Sequence, residues 1–254
     1  MHNVDIVNCS LSTLPGETPN KMVEDGIKKL LNDNKILIVA AGNCGPLINT
    51  INTLSGIRGV ITVGSSNIKG DRLTNFSSRG VPNTELKPTV ITYGEDLFYK
   101  LDKKNTYNYS PEEIQVQISF RTGRKVEISK EEAKYYAKLS GTSFSTAAVS
   151  GYIAKLLDMR KALHLEWSPI IIKEILEDMA IPMLDYKEHE VGRGFIDYET
   201  IKKYFKNIDS LLFPNYYWGN CKVLEKMWID ADGGGLSISN YLTAEEIFKI
   251  YQKI

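Results

Sequence analysis

Ile36–Asn43 reads ILIVAAGN, six apolar residues without a polar interruption, then a glycine and a carboxamide. A strand with one wet face alternates apolar and polar residues; a run that does not alternate needs cover on both faces, as in a parallel sheet flanked by helices. Outward from it, Val4–Leu11 (VDIVNCSL) reads as a strand, and the strands Ile36–Ala41 (ILIVAA), Val60–Gly64 (VITVG) and Pro88–Thr92 (PTVIT) all lack polar alternation. Asn20–Leu31 (NKMVEDGIKKLL) between the first two has helical spacing. Short β-branched runs alternating with amphipathic helices predict an α/β fold built on a parallel sheet.

Downstream, Asp96–Lys138 changes character, with many charges and tyrosines and one alternating run, Ile114–Phe120 (IQVQISF). It reads as an inserted hairpin with a short helix near Lys130–Ala137. Ser143–Leu157 (SFSTAAVSGYIAKLL) is a helix whose small residues let it lie close against a sheet. Ser168–Met179 is an amphipathic helix opened by a Ser N-cap and Pro at its first position. A glycine turn at Gly192–Gly194 leads to Phe195–Ile196 and a helix over Tyr198–Phe205. Beyond about Lys206 the composition turns aromatic and irregular, through Phe213–Trp218, and closes on a predicted helix Ala244–Gln252. The expected division is 1–206 as one domain and 207–254 as an extension.

Two segments carry chemistry. In Leu139–Gly151 (LSGTSFSTAAVSG), Ser143 follows a Gly-Thr turn and stands in the first turn of the small-residue helix. A helix N-terminus offers unpaired N–H groups and a positive dipole end, so Ser143 N–H suits an oxyanion. In Ala40-Ala41-Gly42-Asn43 a carboxamide projects from a strand end, where α/β sheets place their sites. Each signal alone has an ordinary explanation: Gly-Thr-Ser as a helix cap, Asn43 as a turn residue.

In order along the chain, these segments resemble the subtilase family of serine peptidases. Val4–Leu11 is similar to the family strand whose end, Ser10-Leu11-Ser12, pairs with substrate backbone, and Ala40–Asn43 to the segment that lines the S1 pocket and ends in the oxyanion Asn. Ile61–Ser65 (ITVGS), Asn75–Gly80 (NFSSRG), Lys87–Val90 (KPTV), Gly141–Ser143, Trp167–Ile175 (WSPIIIKEI) and Gly192–Tyr198 (GRGFIDY) resemble the later landmarks over residues 3–206. The resemblance implies a three-layer α/β/α subtilisin-like sheet and a serine endopeptidase. Its catalytic residues are Ser143 and Asn43; Ser10, Leu11, Ser12, Ala40, Ala41 and Gly42 bind a peptide or protein substrate. The pattern is departed from at Ser145 and Ala147, where the family has Ala and Pro, and at Ser12, where a Gly often sits and a larger residue narrows S1. The 96–138 insert lengthens the approach to Ser143.

The family mechanism also needs an Asp and a His from motifs upstream of the Val4 strand, and only three residues precede it. The expectation is a sheet incomplete on its N-terminal side, inactive alone, with an N-terminal Asp/His-bearing fragment as partner. Alternatives are a non-catalytic peptide-binding module and a decayed remnant. His2, His164 and His189 read as surface residues and Asp5 as structural. The Val4–Leu11 strand would leave an apolar edge, an aggregation liability.

Bulk properties exclude other classes. Thirty-one acidic and 31 basic residues cancel, which argues against nucleic acid and anionic membranes as partners. No stretch approaches the ~20 apolar residues of a membrane span, and Met1 leads into a strand pattern rather than a secretory signal, although family members are often secreted. Cys9, Cys44 and Cys221 share no metal-ligand spacing, and two lie in apolar strand-like runs, so buried free thiols are expected. Ile229–Ile238 (IDADGGGLSI) opens like a calcium loop but has Gly234 and Tyr241 where an EF-hand needs oxygen donors, and reads as a glycine turn. The resemblance leaves structural calcium possible, with its usual ligands partly upstream; no metal site is expected from the residues themselves.

Overall fold

The computed structural model describes residues 4–17, 19–82, 87–122, 124–162 and 165–212. The central sheet is wholly parallel, in the order β1 (Ile6–Cys9), β2 (Ile36–Ala40), β3 (Ile61–Ser66), β4 (Val90–Tyr93). Register runs Ile6 with Ile36, Ile38 with Ile61 and Val63 with Val90. The four expected strands are present; β2 starts at Ile36 as read and ends one residue earlier, while β1, β3 and β4 shift at both ends.

Because side chains alternate across a strand, β2 feeds two cores. Ile36 and Ile38 point into one shared with α4 (Thr142–Ala162), α5 (Pro169–Met179) and α7 (Tyr198–Leu212). Leu37 and Val39 point into the other, where Ile27 of α1 (Lys21–Asn32) packs. Helices on both faces make three layers. As its sequence predicts, α5 starts at Ser168, whose hydroxyl accepts the Ile171 N–H at 3.2 Å, with Pro169 next. A short helix, α6 (Glu188–Val191), unmarked in the sequence reading, is drawn in by the Arg79–Glu190 ion pair.

The two sheet edges differ. Ile91 N–H donates to Gly194 O and Ile196 N–H to Ile91 O, both at 2.9 Å, so the glycine turn and Phe195 cover the outer side of β4. Among the described residues nothing pairs with the outer edge of β1. No helix of the described residues is long and apolar enough to cross a membrane.

The insert corrects one expectation. Its ribbon is β5 (Leu97–Lys100) antiparallel to β6 (Tyr136–Leu139), but IQVQISF lies in a helix, α2 (Pro111–Thr122), followed by the short α3 (Lys130–Ala133). Helix wins because Ser110 caps it, accepting the Glu113 N–H at 3.0 Å, with Pro111 and two glutamates in the first turn. Ile114 and Ile118, four apart, then face Phe98 and Tyr136, while Val116 and Phe120 stay exposed. Gln117 accepts the Phe98 N–H at 2.7 Å and Arg121 donates to Phe98 O at 2.9 Å, so α2 side chains satisfy backbone groups of β5.

The cysteines correct another. Cys9 is half-buried and Cys44 exposed, because the chain leaves the sheet at Gly42, where φ is +106°. Cys221, the segment 229–238 and the helix expected at 244–252 lie outside the described residues.

Candidate active site

Ser143 sits at the start of α4, placed by a turn pinned on both sides. Gly141 N–H donates to Gly94 O at 2.8 Å, and Asp96 N–H to the Ser140 hydroxyl at 2.9 Å. The insert leaves and rejoins the fold at these neighbouring points, so its length does not move the serine. Along α4, the buried Ser145 hydroxyl reaches Tyr93 O at 3.1 Å and Thr92 O at 3.3 Å. A hydroxyl where the family has a methyl is thus paired with the end of β4, while Ala147 is exposed.

Asn43 lies at the C-terminal end of β2, 100 residues away in sequence, and the fold brings it to the same helix start. Its Oδ1 accepts both the Thr142 N–H at 3.0 Å and the Thr142 hydroxyl at 2.9 Å. The carboxamide therefore caps α4 from another segment, and its orientation is fixed. With Oδ1 occupied twice, Nδ2 keeps its protons for another partner. Thr142 Oγ1 also accepts the Gly42 N–H at 3.3 Å, linking the two segments again. Among the described residues Ser143 N–H has no acceptor, as expected for the first turn of a helix. Two unused donors and the Ser143 hydroxyl are gathered on two adjoining segments.

The Ser143 hydroxyl donates to Ser10 O at 3.1 Å, and the Ser10 hydroxyl donates to Ser143 O at 3.1 Å. Ser10 is locked to the serine on both counts. Leu11 and Ser12 are exposed just past β1. Ala40, Ala41 and Gly42 are buried, with their carbonyls bonded to Asn52 Nδ2, Asn52 N and Ser78 N, so they form the floor of the cleft rather than its wall. Gly42 has φ of +106° and a Cβ there would stand 2.8 Å from Ser78 Oγ, so both backbone and Ser78 favour glycine, while Ser12 Cβ lies at an ordinary 3.6 Å.

Asn52 is the residue sequence reasoning missed. It is fully buried, donates to Leu11 O at 2.9 Å and Ala40 O at 3.0 Å, and so holds the two cleft segments together. Its only sequence signal is its place ahead of Thr53 in a short turn it caps. Thr142 was legible as part of Gly-Thr-Ser but not as the residue that orients Asn43. Asn75–Gly80 earns its landmark status through Ser78, whose N–H donates to Gly42 O at 2.9 Å and whose hydroxyl accepts the Cys44 N–H at 3.0 Å.

Among the described residues no histidine or carboxylate hydrogen-bonds to Ser143. His189 lies half-buried in α6, its carbonyl accepting the Gly80 N–H at 2.8 Å; His2 and His164 fall outside the described residues. Asp5 pairs with Lys161 at 2.7 Å. The described residues hold no cluster of three or more His, Cys, Asp or Glu that could hold a metal ion.

A serine hydroxyl at a helix start, beside an oriented carboxamide at the C-terminal edge of a parallel sheet, is a candidate site of the serine-hydrolase class. The chain belongs to the subtilase family, whose model matches residues 1–207. It is 27% identical over 244 residues to Subtilisin-like protease SBT6.1 of Arabidopsis thaliana, covering 87% of this chain and 20% of that protein. It is 34% identical over 101 residues to human Membrane-bound transcription factor site-1 protease, covering 37% of this chain and 9% of that protein. The chain thus spans a fifth or less of the length of these curated relatives. In fold it is similar to patellamide maturation protease PatA, with TM-score 0.58 and 21% identity over 81% of this chain and 64% of that one.

Proposed function

We propose that this chain is the nucleophile-bearing part of a serine endopeptidase, with the general base and its carboxylate supplied by polypeptide outside residues 1–254. Residues 1–206 are the peptidase part and 207–254 an extension of it. The observation that carries the reading is the pair of hydrogen bonds that Thr142 donates to Asn43 Oδ1, which leaves Nδ2 as a donor beside the unpaired Ser143 N–H. Preorganised donors of this kind stabilise the charge that develops on a carbonyl oxygen under attack.

In the complete site a histidine takes the Ser143 proton as Oγ attacks the peptide carbonyl. Asn43 Nδ2 and Ser143 N–H hold the oxyanion, the proton passes to the leaving amine, and water releases the acyl group by the same route. In this chain the hydroxyl proton is held by Ser10 O, a carbonyl that cannot act as a base. In subtilisin, a member of the same family, losing the base costs about 10⁶ in turnover. That scale makes the chain inactive by itself.

The test is labelling with a serine-directed fluorophosphonate, with Ser143→Ala as control. Labelling at Ser143 only after an Asp/His-bearing segment is added is the expected result. A labelled chain without that segment, or none with it, removes the reading. The engaged Ser143 hydroxyl also favours a second reading, a peptide-binding module without chemistry, and peptide binding with no labelling under any condition supports that one.

A further inference from the structure

A cavity of about 460 Å³ opens along α4 and reaches Phe144, and none of Ser10–Ser12, Ala40–Asn43 or Ser143 itself lines it. Its near end is Phe144, the residue after Ser143; its floor includes Ala147 and Gly151; its far wall comes from the insert. Three cations, Arg121, Arg124 and Lys155, line it together with aromatic side chains, and no carboxylate does. We propose that this cavity receives an acidic side chain on the leaving-group side of a peptide substrate. The proposal rests on the peptidase reading, since that reading puts the acyl side of the substrate along Ser10–Ser12 and Asn43 and leaves this side for the amine portion.

Arg121 carries the argument. Its guanidinium lies 5.2 Å over the Tyr99 ring, and that ring is 4.7 Å from Phe144, so a run of ring contacts leads from the insert to the residue after the nucleophile. One Nη donates to Phe98 O at 2.9 Å, which fixes the plane. Its Nε is buried, so the guanidinium meets the cavity through the atoms that remain accessible, and a carboxylate is the partner a guanidinium fits best. Lys155 is engaged with Tyr198, 4.7 Å over its ring and 3.4 Å from its hydroxyl. The carboxylate nearest at hand, Asp197, does not line the cavity and accepts the Tyr93 hydroxyl at 3.2 Å. The volume lies in the ordinary range for ligand sites. The residues that build the wall belong to the insert, the part of the sequence that departs from the family pattern.

The test uses the whole chain and acetylated hexapeptide amides carrying Glu or its isostere Gln at each of the three positions after the residue placed opposite Asn43, with binding followed by calorimetry. A Glu peptide is expected to bind about tenfold or more tighter than its Gln partner, the size of a charge-assisted hydrogen bond. Arg121→Gln should erase that difference. Should it fail to fold, two milder variants serve: Arg124→Gln, at an exposed position, should reduce the preference, and Gly151→Leu should erase it by filling the cavity. A Cβ at Gly151 meets nothing within 4 Å, so the α4 backbone has room for a side chain there. Equal binding of Glu and Gln peptides, or a preference surviving both milder variants, overturns the proposal while the peptide groove stands. Absence of binding by either series overturns the pocket and the groove together.

Discussion

Thr142 and Asn43 form a mutual brace, and each is useful only through the other. Asn43→Ala removes both the acceptor that caps α4 and the free amide donor. In the complemented enzyme we expect phosphonate labelling to slow by about 10²–10³, the scale known for the equivalent deletion in subtilisin. A melting experiment should show a loss of about 1 kcal/mol from the missing cap. Thr142→Val should slow labelling while Thr142→Ser restores it, because the hydroxyl and not the methyl orients the carboxamide; equal rates for the two variants would sink that role. Ser145→Ala tests a departure from the family pattern. It should destabilise by about 1 kcal/mol through loss of its bond to the end of β4, with labelling unchanged. At this scale the sequence was legible where a residue's role is local. Ser143 and Asn43 sit at an element's start and end, which motif and periodicity mark. Asn52 was not, because it acts by bonding to Leu11 and Ala40, 41 and 12 residues away, and nothing next to it in sequence announces that.

Elements were legible where burial and periodicity agree. β2 and β3 are buried along their whole length, and runs without polar alternation gave both strand and two-sided cover. The α2 segment misled because IQVQISF alternates, yet local capping overrode the pattern: Ser110, Pro111 and two glutamates start a helix just ahead of it. Ser110→Ala should therefore loosen α2 by about 1 kcal/mol, seen as faster amide exchange across residues 111–122 while α4 is unaffected. Unchanged exchange would deny the cap its role. The α4–β4 contact makes a different prediction. Burial pushes Tyr152 up to about 12 from 10.0 and raises Tyr93 as well, with Asp197 adding to the latter. Folded tyrosines thus hold protons that unfolded ones release above pH 10. Stability from these groups is complete below about pH 10 and falls as pH rises toward 12. Tyr152→Phe should flatten that alkaline decline in melting temperature, and an equally steep decline in the variant would place its cause elsewhere.

At the scale of the molecule the decisive feature is the contrast between the edges of the sheet. On one side, Gly194–Ile196 bonds to Ile91 and closes β4. On the other, β1 has α4 on one face and Val7 and Cys9 packed toward the α1 face, but its outer backbone groups meet nothing among the described residues. The strand carries no proline and no charge between Ile6 and Cys9, the usual devices that keep an edge from pairing. An edge of this kind recruits another strand: an upstream segment where one exists, or a second copy where none does. We therefore expect the 254-residue chain alone to associate at micromolar concentrations, with a weight-average mass in sedimentation equilibrium above 28.6 kDa. Val4→Lys places a charge at the exposed start of the edge, and should shift the mass toward that of the monomer while lowering stability by no more than about 1 kcal/mol. An Asp/His-bearing segment that restores labelling of Ser143 should have the same effect on mass, since it would occupy the same edge. A wild-type chain that stays monomeric and unfolds in one cooperative step would mean that β1 is tolerated as a free edge, and the case for a missing neighbour would then rest on the chemistry of Ser143 alone.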